Sequence, residues 1–260
     1  MIKKTKRIND MKKPIILTAL GTVATAVTAL CVAGYQKSML GTLPLKLPKN
    51  MTVTAHTGCE KTKDNSLESI TAGAEAGADI VEIDLHFLSD GTPVLSHNKP
   101  EETASLPTFE SALEILSELD IKMNIDVKVT DNMPEVYSLI KKYGVEDKVF
   151  FTGIEDVKVP AIKSDVPGIP YFLNVSVNSG KNTDLDYLSE LVSRVRLSGA
   201  IGINMNFKEA SPELVRYFRS EGLLVSLWTA NNKKDMSFCL KLCPDNITTR
   251  KVTLLKSLIK

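Results

Sequence analysis

Short β-prone runs and helix-patterned runs take turns from residue 51 almost to the end of the chain. That alternation restricts the fold more than any other feature of the sequence. The β-prone runs cover residues 51–56, 79–87, 92–96, 122–129, 149–153, 169–175, 201–205, 223–229 and 246–249. Between them, apolar residues recur at helical spacing over 66–76, 108–119, 134–143, 155–163, 183–197, 212–220 and 234–242. Strand and helix alternating this often predicts a parallel α/β fold. About eight strands in so few residues predict a compact (β/α)8 TIM barrel rather than an open sheet. A barrel places its reactive side chains at the C-terminal ends of the strands. His56, Glu82, Asp84, Asp126, Lys128 and Trp228 all stand at or near such ends.

Side chains alternate between the two faces of a strand, so Glu82, Asp84 and His86 share one face of the 79–87 run. Two carboxylates side by side repel unless a cation or a proton lies between them. Oxygen ligands on a fixed face suit a hard divalent ion such as Mg²⁺ or Ca²⁺. The same parity puts Asn124, Asp126 and Lys128 on one side of their strand, against Met123, Ile125 and Val127 on the other. The chain has three histidines, and all lie between residues 56 and 97, which points to one chemical site.

Ahead of the alternating region, residues 14–35 contain no charge. At about 1.5 Å per residue, such a run crosses a ~30 Å hydrocarbon core as a helix. Residues 1–13 hold six basic side chains against Asp10, so this short tail carries +5 of a chain total of +1. That polarity predicts a cytoplasmic N-terminus and a body outside the membrane, or a secreted body if the segment is cleaved. The expected order is a basic tail (1–13), a transmembrane anchor or signal segment (14–35), a linker (36–50) and a barrel (51–260). The body then carries −4, which leaves no basic excess for nucleic acid. Of the four cysteines, Cys239 and Cys243 are helix-spaced and badly placed for a bridge, and Cys59 reads as a small buried residue.

Several spaced motifs together resemble the glycerophosphodiester phosphodiesterase superfamily, which includes the spider-toxin-type phospholipases D. His56-Thr57-Gly58 resembles its opening His-Arg-Gly, and Asp64-Asn65-Ser66 its Glu-Asn-Thr. Gly77-Ala78-Asp79 leading to Glu82-Ile83-Asp84, the Asp90-Gly91 turn, His97-Asn98 and Pro107-Thr108-Phe109 follow in family order. Asp126-Val127-Lys128 and Trp228-Thr229-Ala230-Asn231 complete the set, so the likeness runs from residue 52 to about 250.

The resemblance implies metal-dependent hydrolysis of glycerophosphodiesters to glycerol 3-phosphate and an alcohol, in lipid metabolism. It implies His56 and His97 as general acid and base, and Glu82, Asp84 and Asp126 as ligands of a divalent ion, Mg²⁺ or Ca²⁺. Lys128, Trp228 and Asn65 are then expected to contact a small-molecule or lipid phosphodiester. Four departures accompany it: Thr57 for arginine, Asp64 and Asp126 for glutamate, and Asn98 for aspartate. The missing arginine removes a bidentate phosphate grip. The stretch from His97 to Asp126 is short for the family, which points to an open site. Two rival readings follow from these departures and the N-terminal segment. One is a phospholipase D-like activity on lysophospholipid or sphingolipid at a membrane. The other is a degenerate barrel that binds a phosphate-bearing ligand without turnover.

Overall fold

A computed structural model describes residues 46–101 and 105–259. The expected basic tail, membrane segment and most of the linker lie outside these residues. Among the described residues, no helix is long and apolar enough to cross a membrane.

Among the described residues, nine strands form one sheet: β1 (Thr52–Ala55), β2 (Ile80–Phe87), β3 (Pro93–Leu95), β4 (Lys122–Val127), β5 (Val149–Ile154), β6 (Tyr171–Asn174), β7 (Gly202–Asn206), β8 (Leu224–Trp228) and β9 (Asn246–Thr249). Their order is β1-β9-β8-β7-β6-β5-β4-β2-β3, and β1 also pairs with β2. Eight strands therefore close into a parallel barrel, as the alternation predicts. β3 lies outside the ring, antiparallel on β2. It folds back through the Asp90-Gly91 turn, where Asp90 Oδ1 accepts from Thr92 N at 2.9 Å.

The helices are α1 (Leu67–Glu75), α2 (Phe109–Glu118), α3 (Met133–Tyr143), α4 (Val159–Asp165), α5 (Leu185–Ser198), α6 (Pro212–Ser220), α7 (Lys233–Leu242) and α8 (Val252–Leu258). Side-chain caps start five of them: Ser66, Thr108, Asp184, Ser211 and Asn232 each accept from a backbone N–H of the first turn. Two helices differ from the sequence expectation. α4 begins four residues later than residue 155, because Pro160 is tolerated only in a first turn and forces the start up to itself. α8 was not expected; its seven residues are too few for periodicity to register, and Val252 and Leu255 anchor it by burial.

Parity along the strands divides the molecule into two interiors. Val81, Ile83 and Leu85, Met123, Ile125 and Val127, Ile203 and Met205, and Val225 and Leu227 point outward and pack under the helices. Each such side chain contributes about 1.5–3 kcal/mol when buried, so the fold is held chiefly by this outer layer. The lumen is correspondingly free to be polar. Thr54 Oγ1 donates to Asn246 Oδ1 at 2.8 Å, and Asn246 Nδ2 donates to Ser226 Oγ at 3.0 Å. Phe150 and Phe172 fill another part of it edge to face. The three described cysteines are buried and unbridged, in line with their sequence reading.

Candidate active site

The C-terminal ends of the parallel strands open on one face, and a cavity of about 250 Å³ lies there. His56, His97, Glu82, Asp84, Asp126, Lys128 and Trp228 line it, together with Asn124, Thr152, Asn174, Asn204, Thr229 and Thr248. Thus seven of the eight residues singled out from sequence meet on one wall, although they come from strands and loops across 170 residues of chain.

β2 and β4 set the acidic centre. Their register places Glu82 beside Asn124 and Asp84 beside Asp126. Glu82, Asp84 and Asp126 each bring an oxygen within 4.8 Å of the others. Burial pushes the Glu82 carboxyl well above its usual range, and the charges of Asp84 and Asp126 push it further. The N–H of Thr57, donated to Glu82 Oε2 at 2.8 Å, opposes that shift. Lys128 forms ion pairs with Asp84, at 2.7 Å, and with Asp126. Burial lowers the affinity of Lys128 for its proton, but the two carboxylates outweigh it and the net shift is upward.

Asn65 has a different place from the one expected of a substrate contact. Its Nδ2 donates to Asp84 Oδ2 at 2.8 Å, and its Oδ1 accepts from Asp84 N at 3.0 Å. Both ends of the amide are committed to Asp84, and Asn65 is absent from the cavity wall. Its amide holds the Asp84 carboxylate in place. A polar side chain next to a catalytic motif looks the same in sequence whichever way it serves. His86 is also off the wall; it is buried, and Phe87 N donates to its Nδ1 at 2.8 Å.

A bulge in β5 aims Thr152. The β5–β6 register shifts between Phe151 and Ile154, and Gly153 there has φ +70°. A Cβ at Gly153 would stand 2.6 Å from Asp126 Oδ1 and 2.7 Å from Val127 O, so only glycine fits. Thr152 Oγ1 then lies 2.8 Å from Asn124 Oδ1 and 3.0 Å from Asp126 Oδ1. Thr152, Asn124, Asn174, Asn204 and Thr248 were not singled out from sequence. Period-two parity counted back from each strand end would have found them.

The histidines differ in setting. His56 is mostly buried, with Nδ1 2.9 Å from Thr57 O and 3.7 Å from Glu82 Oε2. Burial lowers its pKa; the Thr57 carbonyl opposes this, and nearby Arg250 adds to it. His97 is exposed and meets Asn98 Oδ1 through Nδ1 at 3.2 Å. Trp228, Asn174 and Asn204 line both this cavity and a larger one of about 570 Å³, whose walls also include Glu155, Asp156 and Glu209. Among the described residues, Trp228 Nε1 is the buried side-chain polar atom without a hydrogen-bond partner.

A model of the glycerophosphoryl diester phosphodiesterase family matches residues 48–105 and 97–254. The chain belongs to that family. A glycerophosphodiester phosphodiesterase of Caldanaerobacter subterraneus subsp. tengcongensis is 25% identical over 236 residues, 80% of this chain and 97% of its own. The structure of the glycerophosphodiester phosphodiesterase of Thermotoga maritima is similar, with TM-score 0.65 at 20% identity, over 81% of this chain and 99% of that one. So is an Oleispira antarctica phosphodiesterase in complex with the product sn-glycerol-3-phosphate, with TM-score 0.65 at 17% identity, over 82% and 97% of the two chains. Enzymes of the family are phosphodiesterases, and this family member retains a histidine pair and an acidic centre on one cavity.

The acidic centre also fits a hard divalent ion by its chemistry: three carboxylate donors, two of them buried, with like-charge repulsion to relieve. A pH signature follows. The folded-state pKa of Glu82 is raised, so its stability contribution is full below the unfolded value and is lost as pH rises through the folded one. A divalent ion favours the deprotonated form and restores what is lost. Added Mg²⁺ or Ca²⁺ should therefore raise the melting temperature more at about pH 8 than at about pH 5. Differential scanning fluorimetry against an EDTA control reads this directly. An equal shift at both pH values would contradict it.

Proposed function

We propose that this family member hydrolyses glycerophosphodiesters to glycerol 3-phosphate and an alcohol, with a divalent ion held by Glu82, Asp84 and Asp126. The observation that carries the reading is the meeting of His56, His97 and the three carboxylates around one cavity. When bound, the ion polarises a phosphoryl oxygen and offsets charge that builds in the transition state. His56, kept neutral by burial, takes the proton from the attacking oxygen, whether of water or of a substrate hydroxyl. His97 gives a proton to the departing alcohol oxygen. Lys128 lies where its ammonium can turn from Asp84 and Asp126 to a phosphoryl oxygen.

Trp228 offers its unpartnered indole N–H to the substrate. Leaving a buried donor unsatisfied costs about 1–3 kcal/mol, which an acceptor on the ligand would remove. The alcohol extends past Trp228 into the larger neighbouring cavity. The uncharged 14–35 run supports placement of the barrel beside a membrane, outside the cytoplasm, or its secretion after cleavage.

The test is release of glycerol 3-phosphate from glycerophosphocholine with Mg²⁺ or Ca²⁺, run beside choline release from a lysolipid. Metal-dependent glycerol 3-phosphate is the expected product. Choline from the lysolipid alone would favour the lipid-directed reading. Absence of metal-dependent turnover on both, with folded protein, would leave a binding barrel.

A further inference from the structure

Just off the cavity wall, beside His56, stands a cation that the chemistry above does not use. Arg250 follows β9 by one residue, and alternation along that strand runs Asn246, Thr248, Arg250 on the lumen side. β1 pairs Thr54 with Thr248, so Arg250 stands level with His56 across the seam where the barrel closes. Its Nε lies 3.3 Å from His56 Nδ1, and its Nη2 lies 3.0 Å from Asp64 Oδ2. Its backbone N–H donates to Asn231 Oδ1 at 2.8 Å. The root of the side chain is thus fixed, while the side chain is 39% exposed.

The partners of the guanidinium are exchangeable. His56 Nδ1 is also 2.9 Å from Thr57 O, and a carbonyl can only accept. Once Nδ1 carries the hydrogen that Thr57 O needs, it cannot accept from Arg250. The two contacts exclude each other, and the Arg250 contact is the longer. Asp64 is 53% exposed, and ion pairs in such settings are weak. Position 57 offers no cation of its own. Thr57 is buried, its N–H goes to Glu82, and its Oγ1 accepts from Asn65 N.

We infer that Arg250 is a phosphate-binding residue, leaving Asp64 for a non-bridging oxygen of the substrate beside His56. The inference rests on the phosphodiesterase reading. Lys128 approaches as a point charge from β4, and Arg250 supplies a planar fork of donors from β9. An anion at His56 draws the guanidinium away from Nδ1 and leaves that atom to Thr57 O.

Titration calorimetry with sn-glycerol 3-phosphate in Mg²⁺, alongside KM and kcat on glycerophosphocholine, tests this. Arg250→Gln should weaken product binding by about tenfold or more and raise KM to match. Arg250→Lys, which keeps the charge without the fork, should fall between. Asp64→Asn removes the competing anion and should tighten product binding by roughly twofold. Product affinity within about twofold of wild type in a normally melting Arg250→Gln protein would overturn the inference. So would a fall in kcat at unchanged product affinity, which would make Arg250 a positioning residue for His56. A wild-type chain that binds product without turnover would sink the hydrolase reading and leave the Arg250 comparison intact. A wild-type chain that binds no product up to about 10 mM would sink both.

Discussion

Replacing His56 by alanine should lower kcat by about 10²–10⁴-fold while KM changes little, because proton transfer in the transition state is lost and substrate contacts are kept. His97→Ala should show a comparable loss on a natural alcohol. The two variants should part company on a substrate with an activated aryl leaving group. Such a group departs without a proton, so His97→Ala should recover most of its rate there and His56→Ala should not. The assignment rests on setting: His56 is sheltered against Thr57 and Glu82, and His97 stands exposed on the loop after β3. Recovery by His56→Ala in place of His97→Ala would reverse the roles. Recovery by neither would count against a proton-donating histidine altogether.

Glu82→Gln should move stability and activity in opposite directions. Glu82 is 6% exposed and crowded by two further carboxylates, which the ammonium of Lys128 pairs. A neutral amide of the same shape removes that repulsion and can still accept from Thr57 N–H. Without divalent ion, and at a pH high enough to ionise Glu82 in the folded protein, the variant should therefore melt higher than wild type by about 2–4 °C per kcal/mol gained, and the gain should vanish at low pH. The same change deletes a ligand, so metal-dependent turnover should fall by about 10²-fold or more and the metal-induced rise in melting temperature should shrink. Thermal melts with and without EDTA, paired with the phosphodiester assay, read both halves. A variant that melts lower without metal would contradict the repulsion argued for Glu82, whose neighbours Asp84 and Asp126 take the ion pairs of Lys128.

The barrel was legible because two signals agreed from strand to strand. Helical spacing alternated with short β-prone runs, and within each run parity separated residues such as Met123, Ile125 and Val127 from Asn124, Asp126 and Lys128. Parity also made the Glu82–Asp84 pair legible, the family resemblance added Asp126, and the strand register then carries Asp84 opposite Asp126. What escaped was the direction of loop side chains and contact across the closure. Asn65 sits on a loop, where no period fixes orientation, and its left-handed backbone (φ 55°) turns its amide onto Asp84. Arg250 lies 194 residues from His56, and only the β1–β9 register brings them together. The N-terminal expectations concern residues outside those described.

Closure of the ring has a consequence for how the molecule comes into being. Thr52 is paired with Asn246, so the first strand waits for the last before either long edge of the sheet is covered. A nascent chain lacking β9 would present open edges on β1 and β8, and it would also lack Thr248 on the cavity wall and Arg250 beside His56. Contacts of such sequence separation form late and slowly. The catalytic face is therefore completed only after β9 has been made, and truncation at residue 245 should yield an aggregation-prone fragment with no partial activity.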